Sequence, residues 1–455
     1  LAIDCSIFGK GVVFGRFTLI KRVDKLRQDI IPYVFSIFHG RSMNKLLISG
    51  VVIVAATAGA GSFYTAKKYE EFSAIKLVEL NDMIVEAMPA FPEASIHVET
   101  TNKRFGGLVF DEVVTMNFKP DAEPLVIRNH VVSYPGFLKG DTKVENSGLA
   151  TIVFAQVPAL EAGHRVGWTY FPLFDQSYSS FELDPMLIDL EGTVIDFKGL
   201  NISGEQAGET IAGELDMAGV EVTPVGGVAF SVGRYSGEIS GEIHEGVWVD
   251  YDQNFTLEYA HSPFINLEQL TLVSDQTTSD DKANMNIDLA VDQLSGMAES
   301  MAFSLSDTTF NNRIEGLDMK ALQAMNQATN PEDVLATLNE FFKNGIFYTL
   351  EDLSTTLQLS GPQFSGGSLS GWIAAEGTAQ VQLPDDATLE GDLKNHAVAA
   401  INLSADKNMM IGFLGPQLQE LITQGLLVED VDSITSQLTV GNGIVALNGK
   451  PVKQL

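Results

Sequence analysis

The sequence predicts a mainly β chain of the α+β class. An N-terminal transmembrane helix comes first, then a large, curved antiparallel β-sheet body with short helices in its C-terminal part. Three observations lead there. Apolar and polar residues alternate with period two in many short runs, the pattern of strands with one buried and one wet face. Gly, Asn and Asp punctuate those runs at short spacing, as hairpins require. One charge-free run, residues 46–64, precedes them all. No glycine-rich loop opens a helix after a strand, which argues against a doubly wound nucleotide fold.

The elements follow in chain order. Residues 1–42 hold seven basic and three acidic residues, a net of +4, which leaves −35 of the total −31 for the remainder. They read as an upstream stretch translated from a misplaced start, with Met43 opening the protein, or as a short cytoplasmic tail. Cys5, the one cysteine, lies in this stretch, so the body has neither a disulfide framework nor a cysteine zinc site. The run at 46–64 carries Leu46, Leu47, Ile48, Val51, Val52, Ile53 and Val54 and ends in Phe63 and Tyr64. As a helix it would reach roughly 28 Å, enough to cross a hydrocarbon core. Its length and its interfacial aromatic pair favour an uncleaved anchor over a cleaved signal peptide, although Ala56-Thr57-Ala58 and Ala58-Gly59-Ala60 offer cleavage sites. The expectation is a single-pass protein of the bacterial inner membrane, N-terminus cytoplasmic and body periplasmic. Residues 66–92 then read as an amphipathic stalk helix ended by Pro89 and Pro92.

Strands are expected at 108–118, 125–133, 149–157, 186–197, 219–232, 237–250, 266–273 and 283–292. In the last, Met285, Ile287, Leu289 and Val291 face one way and Asn284, Asn286, Asp288 and Asp292 the other. Helices interrupt near 315–344 and 408–424. Pro331 follows a capping Asn330, and Asn344-Gly345 stops the helix that begins there. The layout is therefore 1–42, an anchor at 43–65, a stalk at 66–92, a β-rich part at 93–314 and a helix-plus-β part at 315–455.

Chemistry is sparse. Of 455 residues 45% are hydrophobic and 19% charged, so the chain folds, and its acidity argues against a nucleic-acid partner. The seven histidines show no zincin spacing. Ser404-Ala405-Asp406-Lys407 fits a penicillin-binding S-x-x-K pattern but lacks its partner motifs. Asp280-Asp281, Asn284, Asn286 and Asp288 lack the calcium-loop spacing. The recurrent Gly-Glu pairs from Gly204-Glu205 to Gly241-Glu242 read as solvent-facing strand positions and turns. Trp168, Tyr170, Phe171 and Phe174 read as a core corner, with Asp175 among them. No catalytic, metal or cofactor-binding residue is assigned.

A resemblance adds to this. Tyr64-Thr65-Ala66-Lys67-Lys68 after the anchor, the segment Lys103–Phe110, and the closing Leu447-Asn448-Gly449-Lys450-Pro451 resemble the bacterial YdgA-like proteins, a family of unknown function. The chain departs from that pattern at Ile127–His130, so no role for that segment carries over. The resemblance implies an inner-membrane anchor, a β-rich periplasmic body and no established catalytic residue. The reading is a non-enzymatic envelope protein whose sheet holds lipid or an envelope partner in a groove. The rivals are an envelope hydrolase, with His130 or His164 in a spatially assembled site, and a pure scaffold recruiting partners at its sheet edges.

Overall fold

The computed structural model describes residues 95–454, except 105–108, 118–122, 135–136, 172–173, 191, 228, 245–246, 299–300, 328–330, 363, 365–366, 385–386 and 388–393. The anchor residues 46–64 and the stalk lie outside this set. Among the described residues no helix is long and apolar enough to cross a membrane.

Among the described residues strand accounts for 68% and helix for 15%, a mainly β structure built as one large open antiparallel sheet. The first half supplies β1 (Ser95–Arg104), β2 (Val109–Asn117), β3 (Leu125–Tyr134), β4 (Phe137–Val144), β5 (His164–Phe171), β6 (Gln176–Leu183), β7 (Met186–Leu190), β8 (Thr193–Phe197), β9 (Leu200–Ala207), β10 (Thr210–Met217), β11 (Val220–Thr223), β12 (Phe230–Val232) and β13 (Tyr235–His244). Long strands follow: β14 (Val247–His261), β15 (Ile265–Ser279), β16 (Lys282–Ala298), β17 (Met301–Asp318), β18 (Ile346–Ser360) and β19 (Ser368–Val381). The chain closes with β20 (Ala397–Asp406), β21 (Val428–Glu429), β22 (Ser433–Gly441), β23 (Ile444–Leu447) and β24 (Lys450–Gln454).

Hairpin pairing runs from β1 through β6, then β9, β10 and β13 to β20, and on through β22 to β24. Strands β7, β8, β11 and β12 prolong β6, β9, β10 and β13 past a crease and rejoin the sheet at β14. Gly199 (φ 118°) and Gly219 (φ 126°) sit in that crease, in backbone that L side chains avoid.

One expected strand is a helix. Residues 149–157 form α1 (Leu149–Gln156), followed by α2 (Pro158–Gly163). The run Ala150-Thr151-Ile152-Val153-Phe154-Ala155 does not alternate, and an unbroken apolar run of this length does not separate helix from strand. Pro158 then starts α2, where its missing N–H costs nothing. The other expected strands are present, with the runs at 186–197, 219–232 and 237–250 each divided between two paired strands.

The expected helices are also present: α3 (Met319–Gln327), α4 (Pro331–Lys343), α5 (Lys407–Leu414) and α6 (Pro416–Thr423). The Asp318 carboxylate accepts from Ala321 N (2.9 Å) at the start of α3, Gly345 (φ 79°) ends α4, and Asp406 caps α5 through Met409 N (2.8 Å). Helices α1, α3, α4 and α5 pack on the same face of the sheet, near strand ends. In α3 and α4, Ala321 and Phe341 cover Ala283 and Leu317. In α5, Met409 lies against Gly371, and Gly412 against Leu369. Phe154 of α1 stacks on His164 at 5.9 Å. We call the helix-bearing face the inner face.

Candidate functional site

In an antiparallel sheet, residues paired across strands share a face, so the register identifies the inner face residue by residue. One row of partners crosses it without interruption. It runs Thr100–Glu112–Asn129–Thr142–Val166 over β1 to β5. It continues Phe181–Ile202–Leu215–Gly237–Phe255 over β6, β9, β10, β13 and β14. It ends Leu272–Leu289–Phe310–Leu353–Ala375–Leu403–Ser436. From Val166 to Leu403 every position is apolar or glycine. At about 4.8 Å per strand that stretch is roughly 50 Å long.

The middle of the row is half-buried, not enclosed. Phe181, Ile202, Phe255, Leu272, Leu289 and Phe310 are all partly accessible, and Leu403 is 38% exposed. Glycines shape its floor. Gly237 lies under the Phe255 ring, and Gly241 under Tyr251, so closely that a Cβ at either would fall within 2.9 Å of the aromatic residue. The glutamates of the same Gly-Glu pairs point outward, with Glu214 opposite Glu238.

The polar end of the row is different. On β2 burial alternates strictly, and Glu112 falls in phase with Phe110, Val114 and Met116. Glu112 is 0% exposed, and desolvation pushes its carboxyl up to about 8. The Asn129 amide faces it across the pair and draws that value back by a weak hydrogen-bonding approach, too poorly aligned to satisfy either Glu112 oxygen or Asn129 Nδ2. The Asn129 amide oxygen accepts from Thr142 Oγ1 (2.6 Å), which fixes the amide and leaves Nδ2 without a partner. Trp168, 3% exposed, packs with Phe110, Val131 and Leu138, and its ring crosses Gly140 of β4 with Nε1 unbonded. Among the described residues, the four buried side-chain polar atoms without a partner are Glu112 Oε1 and Oε2, Asn129 Nδ2 and Trp168 Nε1. All four belong to this corner.

The other sequence candidates disperse. His130 stands on the outer face, bonded through Nδ1 to Asp111 Oδ1 (2.7 Å). That bond, with a second from Asn102, holds the Asp111 carboxyl below its usual range. His164 stands on the inner face, where Nδ1–H donates to Leu160 O (2.6 Å) and Nε2 accepts from Val144 N (3.2 Å). On opposite faces, these histidines do not share a site. Lys407 turns away from Ser404 to Glu429 Oε1 (2.9 Å) and the Asp430 carbonyl (3.2 Å). Asp280 and Asp281 are a two-residue turn at positive φ, and Asn286 bonds Asp275 (2.9 Å). No described group of three or more His, Cys, Asp or Glu is placed to hold a metal ion. The aromatic corner splits: Trp168 and Tyr170 face inward, while Phe171 joins Phe137 (5.5 Å) and Tyr178 (6.0 Å) outside.

A groove of about 840 Å³ opens over Gly167, Ser180 and Ser203, mainly on the outer face. Its Arg165 is already paired with Glu182 (3.4 Å) and Asp184, so it reads as a solvated, self-neutralised surface. The inner corner, with its unpaired groups, is the stronger candidate.

The closing signature builds structure. Asn448 (φ 48°) and Gly449 (φ 77°) form the two-residue turn between Leu447 and Lys450. Asn448 Oδ1 accepts from Gln437 N (2.8 Å) and Nδ2 donates to Leu426 O (2.8 Å), while Lys450 Nζ reaches Gln424 O. Pro451 sits on β24, which among the described residues pairs on one side only, where a missing N–H is tolerated. Leu447–Pro451 thus staple the last hairpin to β22 and to the chain after α6.

The class is now defined: an open, single-sheet antiparallel β-protein with helices on one face. A family model described as bacterial protein of unknown function (DUF945) matches residues 166–454, and the chain belongs to that family. No curated protein and no solved structure matches the chain. The family match begins within β5, so Trp168 of the corner lies inside it, while Glu112, Asn129 and Thr142 precede it.

Proposed function

We propose that the protein is a non-enzymatic component of the bacterial envelope, of the YdgA-like kind, held in the inner membrane by residues 46–64. Its periplasmic body seats lipid acyl chains along the inner row. The observation that carries this reading is the uninterrupted apolar register from Val166 to Leu403, left half-buried while the helices pack near strand ends. Water makes such a surface costly at about 25 cal/mol per Å² of apolar area, and an acyl chain laid across it relieves that cost. Partner recruitment by strand addition is the weaker reading. The β24 edge carries Lys450, Pro451 and Lys453, which discourage pairing.

Site-specific photocrosslinking in cells tests the lipid reading. A photoreactive residue at Leu289 or Phe310 is expected to capture lipid, and one at Asp288, on the other face, is not. Equal capture at both, or none at Leu289, refutes it.

A further inference from the structure

The unpaired groups of the Glu112 corner define what they would bind. This inference rests on the lipid reading and names the head group. Buried polar atoms are nearly always hydrogen-bonded, so four orphans gathered in one corner call for an explanation. The groups are mutually placed: Glu112 pairs Asn129, Asn129 pairs Thr142, and the Trp168 indole lies over Gly140, two residues along β4 from Thr142. Cross-strand partners and diagonals of this kind lie within about 5–8 Å. Asn129 Nδ2 and Trp168 Nε1 are donors only. A protonated Glu112 adds an O–H donor and one acceptor. On β1 to β5 the described inner face carries one cation, Lys103, which the β1 bulge sets opposite Phe110 and leaves exposed; its other titratable groups are His164 and Tyr170, the latter donating to Asp175 (3.1 Å). A phosphate buried beside Glu112 and Asn129 would be stripped of water while Lys103 stays exposed, a costly burial of charge, and an ammonium would meet mostly donors.

We propose that this corner is a binding site for the uncharged, carbonyl-bearing head of an amphiphile, an ester or amide, whose apolar chain lies along the row toward Phe181 and Ile202. Seating it requires a shift of the Trp168 indole, which packing holds over Gly140 without a hydrogen bond from its N–H.

The test uses the full-length chain in amphipathic polymer and four photoreactive probes: a diacylglycerol, a headless alkane, a phosphatidate and an alkylamine. Diacylglycerol is expected to label wild type and Glu112→Gln alike at pH 6, and Glu112→Ala roughly tenfold less, the weight of one lost buried hydrogen bond. Labelling of wild type falls as pH rises past 8, where Glu112 ionises, and that of Glu112→Gln does not. The alkane labels all three equally. Circular dichroism confirms that each variant is folded. Equal diacylglycerol labelling of wild type and Glu112→Ala, or preferential labelling by phosphatidate or alkylamine, overturns the head-group site while the row stands. Failure of the alkane to label any of them overturns the row itself.

Discussion

Replacing Glu112 by Gln changes how stability depends on pH, and the size of the change follows from burial. In the unfolded chain the carboxyl titrates near its ordinary 4.5, and in the sheet near 8. Between those values the folded protein keeps a proton that the unfolded chain has released. Stability is therefore complete below pH 4.5 and falls by about 1.4 kcal/mol per pH unit until the folded group ionises. The loss is roughly 3 kcal/mol at pH 7 and about 5 kcal/mol above pH 8. Glutamine has no proton to lose. The stability difference between Glu112→Gln and wild type should thus grow by about 1.4 kcal/mol per unit from pH 5 to 8 and then level off. Comparing the two proteins cancels every other titrating group and any fixed effect of the amide. Denaturant titrations at pH 5, 6, 7 and 8, followed by circular dichroism, measure it. A constant offset would refute the reasoning, because it would mean that Glu112 is solvated or already paired as an anion.

Two further outcomes are expected. Gly140→Ala would place a Cβ 2.1 Å from the Trp168 ring and should cost about 1–3 kcal/mol as the indole is displaced, with a red shift in tryptophan emission; an unchanged spectrum and melting temperature would contradict the packing. Asn448→Ala removes two hydrogen bonds at 2.8 Å and a residue suited to positive φ, so it should lower stability by about 1–3 kcal/mol, and unaltered thermal unfolding would show that the staple is not holding the last hairpin.

Much of this fold was legible because period two is a local signal. Met285, Ile287, Leu289 and Val291 announce their face without reference to any neighbour, and Pro331 with Gly345 brackets α4. The run at 149–157 was misread because an unbroken apolar stretch has no phase. The 50 Å row was invisible for a different reason. Its members are separated by whole hairpins, and their alignment depends on turn lengths and bulges, such as the shift between Leu350 and Leu353. The polar corner did leave a trace. Asp111 reads as an ordinary wet-face residue, but Glu112 occupies the phase of Phe110, Val114 and Met116, and Asn129 that of Ile127 and Val131. A carboxyl out of phase in an alternating strand is the signal that finds such a site, and its partners emerge only with the register.

The sheet's lack of closure has a consequence for size. A barrel fixes its strand number through its circumference, but an open sheet has no such constraint. Each added hairpin would lengthen the inner row by about 10 Å and leave the existing register untouched. The row is a ruler whose graduations are hairpins, and its reach is set by how many of them the gene encodes.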